Sequence, residues 1–140
     1  MIRLVRSIAL LMPVAVVTLV PACGGGGPKL HPVRGKVLYM DQPADGAKIV
    51  FHPAAGAADV PLPSGTVGAD GSFTLSTPER GTGALAGEYI VCVTWYPPNA
   101  RELDNPKNKL PEQYGSPATS PLRATLKKGS NELEPFRLTK

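Results

Sequence analysis

Beyond residue 30 the chain is built from short runs in which apolar and polar residues alternate. Val33, Gly35, Val37 and Tyr39 fall on one side of a first run, with Arg34 and Lys36 between them, the period-two pattern of a half-buried strand. Asp41-Gln42-Pro43-Ala44-Asp45-Gly46 supplies a turn, and the next run places Ala47, Ile49 and Phe51 on one face with Lys48 and His52 on the other. Pro53 stops that strand, and the alanine-, glycine- and proline-rich stretch 54–63 reads as a loop. Ser64 to Gly68 then pairs with Ser72 to Thr77 around Asp70-Gly71, because glycine accepts the positive φ that a tight hairpin turn requires. Phe73 and Leu75 point to one side of that hairpin, and Ser72, Thr74 and Ser76 to the other.

Tyr89 to Trp95 is apolar at both parities, as a central strand covered on two faces would be, and Pro97-Pro98 ends it. The polar segment 99–121 carries Pro106, Pro111, Pro117 and Pro121 and reads as a long surface connection with a helical turn near Glu112. Long ordered loops are where function often sits. Leu122, Ala124 and Leu126 form a sixth strand, 128–131 turns, and Leu133 to Leu138 closes the sheet, with Pro135 fitting only an edge or a bulge. The pattern predicts an all-β protein: one antiparallel β-sandwich of about seven strands.

The first 22 residues follow a different rule. Arg3 and Arg6 precede an apolar run from Ile8 to Val20, and Ala22 is a small residue at the position of a signal-peptidase cut. The run is shorter than the roughly 20 residues that a permanent membrane-spanning helix needs, and Pro13 interrupts it. Val20-Pro21-Ala22-Cys23 resembles a lipobox, in which an aliphatic residue, a tolerant position and a small residue precede the cysteine that receives diacylglycerol on its sulfur. The resemblance implies lipidation at Cys23 and anchoring in the cell envelope. Gly24 follows in place of the aspartate that commonly retains Gram-negative lipoproteins at the inner membrane, which implies the outer membrane. Gly24 to Gly27 have no side chains to bury and, with Pro28, read as a flexible tether. The expected organisation is a signal peptide over 1–22, a lipidated tether over 23–29 and one domain over 30–140.

Charge and cysteine content narrow the function. The full chain has a net charge of +4, but cleavage after Ala22 removes Arg3 and Arg6 and leaves 13 basic against 11 acidic residues, or +2. No dense Lys/Arg stripe of the kind that neutralises phosphates is present, so nucleic acid is not an expected partner. Of the two cysteines, lipidation occupies Cys23 and leaves Cys92 unpaired in an apolar strand, where a thiol behaves as a small buried hydrophobe.

Gly71-Ser72-Phe73-Thr74-Leu75, followed by Gly87-Glu88-Tyr89-Ile90-Val91, resembles the carboxypeptidase regulatory-like domain, a transthyretin-like (prealbumin-type) and Ig-like β-sandwich. Val33 to Val37 and the turn from Asp41 to Ala47 are similar to its first hairpin, and Pro111-Glu112-Gln113-Tyr114 with Thr119 to Leu122 is similar to a segment found in small lipoproteins carrying it. The resemblance covers about residues 30 to 140 and rests on turn and core residues. It implies a fold more than an activity. In the metallocarboxypeptidases that name the family, the module accompanies a catalytic domain and does no chemistry.

The supply of catalytic groups is thin. His31 and His52 are the two histidines, and the chain has no H-E-x-x-H, G-x-S-x-G, P-loop or dinucleotide fingerprint. Asp41, Asp45 and Asp70 lie in turns without calcium-loop spacing. A Lys36, Asn131 and Glu88 isopeptide trio is set against by strand parity, which turns Lys36 away from the core. No metal, cofactor or catalytic residue is expected. The expected function is a non-catalytic structural or protein-interaction module on a lipid anchor. The alternative is a carbohydrate- or peptide-binding lipoprotein that uses Trp95, Tyr96 and Tyr114 with the long loop as an aromatic surface.

Overall fold

The structure, a computed structural model, describes residues 28–56 and 60–140. The expected signal peptide, Cys23 and the glycines before Pro28 lie outside the described residues, as do Ala57 to Asp59 of the 54–63 loop. The described chain is all-β, with two sheets facing each other and two short 3-10 turns in place of helices.

The first sheet is organised around β1 (Val33–Tyr39). On one side of it lie β2 (Gln42–Pro43) and β5 (Ser72–Thr74), both antiparallel, and on the other β10 (Asn131–Glu132) and β11 (Phe136–Leu138). The second sheet runs in the order β7 (Gly81–Thr82), β6 (Ser76–Thr77), β4 (Ser64–Thr66), β3 (Lys48–Pro53), β8 (Gly87–Thr94), β9 (Arg123–Leu126), with antiparallel pairing throughout. The strand alternation read from the sequence holds in both. Val33 and Val37 face inward from β1, and Ala47, Ile49 and Phe51 from the β3 segment, while Lys36 and Lys48 face solvent.

Three features depart from a simple antiparallel sandwich of about seven strands. First, the Asp70-Gly71 turn forms, with Gly71 at φ 86°, the Gly71 N–H donating to the Gly68 carbonyl at 2.9 Å and Gly68 to Ser72 at 2.8 Å. Both the Ser72 hydroxyl and its N–H donate to Asp70 Oδ1, which holds that carboxyl below its usual pKa. The arms of the hairpin then separate. β5 joins β1 in the first sheet, whereas β6 returns to β4 in the second. Leu75, between them, is fully buried, so the chain changes sheets at a core residue.

Second, the last strand runs parallel to β1 and not antiparallel. The reason is positional. The turn after β9 places the Gly129 N–H 3.0 Å from His31 Nδ1, next to the start of β1, so the chain leaves from the end at which β1 begins and must run the same way. Third, this strand is split. Asn131 stands opposite Val33 and Phe136 opposite Val37, so the C-terminal strand takes one more residue than β1 over the same interval. The extra residue falls between Leu133, whose N–H still donates to the Arg34 carbonyl, and Phe136, a bulge that includes Pro135, which has no N–H to give to a ladder.

The core lies between the sheets, with Ile49, Phe51, Val91 and Val93 from one and Val33, Val37 and Leu138 from the other. Phe51 is its hub. Its ring centroid lies 5.7 Å from Tyr89 in the same sheet and 6.4 Å from both Phe73 and Phe136 across the interface, while Phe73 and Phe136 stack at 6.3 Å. Such tilted and edge contacts stabilise beyond the area they bury. Phe51→Ala is expected to destabilise the domain by about 3–5 kcal/mol, much of the roughly 5–15 kcal/mol that a domain of this kind has. Urea denaturation followed by Trp95 emission measures this, and a loss below about 1 kcal/mol would show that the sheets do not depend on the ring.

Candidate functional site

The strand registers give the sandwich two distinct ends. At one, β3 finishes as Pro53 opposite Tyr89, β8 starts as Gly87 opposite Leu126, and β1 starts beside the bridge between His31 and Ala84. Pro28, the first described residue after the expected tether, lies at this end, which is called the tether end for that reason. At the other, Lys48 stands opposite Thr94 and Tyr39 opposite Leu138, and the ring of Trp95 meets Tyr39 edge-on at 6.3 Å. The long connection packs at this second end through Asn108 and Tyr114, and its Pro117 and Ala118 run back beside His52 and Pro53.

The tether end is pinned by backbone. His31 and Ala84 exchange N–H donations at 2.8 and 3.0 Å. Gly83, at φ 103°, lies so close that a Cβ on it would come within 2.8 Å of the His31 carbonyl carbon, so no other residue fits there without moving the entering chain. Arg80 donates to the Pro28 carbonyl. Asn131 secures the neighbouring turn: its Oδ1 accepts from the Lys127 N–H at 2.8 Å, and its amide donates to the Lys127 and Gly129 carbonyls. That amide is therefore committed to a turn, while Lys36 lies exposed opposite Ser72 and Glu88 is exposed on the other sheet. The isopeptide trio is not brought together.

The connection 99–121 is ordered by side chains that replace ladder bonds. Asn108 Oδ1 accepts from the N–H groups of Trp95 at 2.8 Å and Leu110 at 3.1 Å, and the Lys109 N–H donates to the Trp95 carbonyl at 2.7 Å. Leu110 then enters the core. The helical turn expected near Glu112 is present as Glu112–Gly115, with Tyr114 buried at 4% exposure. Tyr114 donates its hydroxyl to the Thr139 carbonyl and accepts from the Thr139 N–H, which ties the loop to the end of β11. Ser120 donates to the Val91 carbonyl and brings the chain back to β8.

The three aromatic residues read from the sequence thus occupy three different settings. Tyr114 is a core residue. Trp95 is half-buried, with its indole N–H donating to the Asp45 carbonyl at 2.8 Å and Lys109 Nζ lying 4.7 Å from the ring centroid, a cation–π arrangement. Tyr96 is 44% exposed and lines a polar cavity of about 580 Å³ with Asn105, Lys107, Asn108 and Glu112. The three do not share one face. Nothing in the sequence marked Asn108, which fixes the loop, because a single asparagine among prolines gives no periodic signal.

The remaining reactive groups are dispersed. His52 is half-buried on the outer side of β3 and Asp41 pairs with Arg137 at 3.1 Å. Among the described residues, no cluster of three or more His, Cys, Asp or Glu side chains is placed to hold a metal. Cys92 is 3% exposed and free, and burial pushes its thiol pKa up. No family model matches the chain, and neither a curated protein nor a solved structure matches it.

Alkylation tests the state of Cys92. Because the thiolate is the reactive form and both burial and the raised pKa disfavour it, Cys92 is expected to resist iodoacetamide in the native protein at pH 8 and to react only after denaturation. Peptide mass mapping reads this directly, and rapid native modification would contradict it.

Proposed function

We propose that this protein is a lipid-anchored component of the bacterial cell envelope, held by Cys23, whose β-sandwich is a non-catalytic structural or interaction module. The observation that carries the reading is the arrangement of the chain around its two ends. The lipobox-like Val20 to Cys23 and its glycines lead into Pro28, at the end pinned by the His31–Ala84 bridge, and the Asn108 to Tyr114 part of the ordered connection lies at the opposite end, beside Trp95 and Thr139. An anchor at one end and a shaped loop surface at the other suit a domain that presents itself away from a membrane.

The two-sheet architecture supports the finer assignment to a carboxypeptidase regulatory-like, transthyretin-like domain. The motif from Gly71 to Leu75 falls on the turn and β5, and Gly87 to Val91 opens β8. These are fold-forming positions, in keeping with a module whose role is mechanical or adhesive. The dispersal of His31, His52 and Cys92, with Cys92 buried and its thiol pKa raised, favours a module without chemistry of its own. The proposed location is the outer membrane, with Gly24 after the lipidated cysteine.

The experiment is an intact mass of membrane-extracted protein from a host with lipoprotein processing, beside a Cys23→Ser variant. A mass of residues 23–140 plus acyl groups, lost in the variant, is the expected result. A full-length or unmodified mass would overturn the anchoring.

A second reading has one observation in its favour, the exposed Tyr96 in its polar cavity. Asn108 uses its Oδ1 on the backbone, which leaves its amide N–H groups as donors beside an aromatic face and Glu112, a combination suited to a sugar hydroxyl or a peptide carbonyl. Trp95, next in sequence, reports on that cavity. A saturable change in its emission on adding envelope glycans or peptides, abolished in Tyr96→Ala, is expected on this reading, and flat titrations would end it.

A further inference from the structure

We propose that the tether end of the sandwich is a docking surface for anionic phospholipid headgroups, so that the domain rests against the membrane that holds its anchor. The inference deepens the lipid-anchored reading above and rests on it.

Two cavities meet at this end and share Leu85 and Ala86 as a common wall. The first, of about 270 Å³, is walled mainly by apolar groups, among them Ala55, Val60, Pro61 and Tyr89, and Val60 is 39% exposed at its mouth. The second, of about 560 Å³, opens between Pro28, Lys29, His31 and Lys128. Among the described residues, Lys29, Arg80 and Lys128 are the lysines and arginines along the walls of the pair, and Glu88 is the carboxylate among them. An apolar recess rimmed by an excess of cations complements an interface of acyl chains and anionic headgroups.

The length of the tether adds an independent argument. Four glycines lie between Cys23 and Pro28, five residue steps that span at most about 18 Å, and the lipidated sulfur lies at the membrane surface. Attraction between the basic rim and an anionic leaflet acts over about 8–10 Å at physiological ionic strength. The tether therefore keeps this end, and not the loop end, within about two screening lengths of the surface, so that it repeatedly enters the zone in which that attraction operates. At such close range a weak surface affinity is sufficient, because the anchor makes the encounter intramolecular.

The test is hydrogen exchange on the acylated protein reconstituted into phosphatidylcholine vesicles with or without phosphatidylglycerol, the same sample being weighed for its acyl groups. Amides of 85–88 and 127–129 are expected to exchange roughly fivefold or more slowly in the anionic vesicles, in keeping with the effect of one basic residue at such a surface. The difference should vanish in a Lys29→Gln/Lys128→Gln variant, whose exposed side chains leave the fold intact, and in high salt. Equal, unprotected exchange in both vesicles would overturn the docking while the acyl mass stands. Protection that is the same in both and survives the lysine substitutions would overturn the headgroup assignment and place the protein's own acyl chain, or a partner, in the apolar recess. A sample without acyl mass would overturn the anchoring itself.

Discussion

The contact of Phe51 with Phe73 and Phe136 across the interface is the constraint on which the rest of the structure depends. Without helices to cover them, the two sheets can hide their inner faces only against each other. β3 supplies the ring from one side, and the strand that switches sheets and the C-terminal strand supply its partners from the other. Each partner belongs to an irregular element. Phe73 sits just after the Asp70-Gly71 turn and Phe136 just after the bulge at Pro135, so the two irregularities are what bring these rings to the place where Phe51 projects.

The irregular segments are fastened by side-chain bonds to backbone. Asn108, Ser120 and Asn131 each bind peptide groups that lack a ladder partner, and Thr77 does the same for the Gly83 carbonyl at 2.8 Å. Among the described residues, no buried side-chain polar atom is left without a partner. The chain's high content of proline and glycine, 16 and 15 residues of 140, is thus compatible with an ordered domain, because the bonds that proline removes are supplied locally by asparagine, serine and threonine.

Local periodicity made much of this legible beforehand. The inward set Ala47, Ile49 and Phe51 and the turn at Asp70-Gly71 are properties of a few adjacent residues and stand as read, and the central strand read over Tyr89 to Trp95 runs Gly87–Thr94, with Trp95 just beyond it. Pairing choices were not legible. That β5 leaves its hairpin for β1 is decided by the burial of Leu75 and Phe73 between sheets, and the parallel course of β11 by where the preceding turn lands beside His31. Tyr114 reads as a surface aromatic in a polar, proline-rich segment, yet it is a core residue, because only the folded chain brings Thr139 alongside it. The lipobox-like stretch could be read only from sequence. The two cavities at the tether end could not, since Leu85, Lys128 and Val60 come from separate segments without a shared motif.

The parallel alignment of the first and last strands has a mechanical consequence. The chain enters β1 at the tether end and leaves β11 at the opposite end, with Val37 to Tyr39 laddered to Phe136 to Leu138. A pull between the start of β1 and the end of β11 therefore acts along these strands, drawing β1 one way and β11 the other. The load falls on the ladder bonds together, in shear, and they must break in concert. In an antiparallel terminal pair, both strands would leave from the same end and could be unzipped one bond at a time. A domain with this strand order is suited to bearing tension between the start of its first strand and the end of its last.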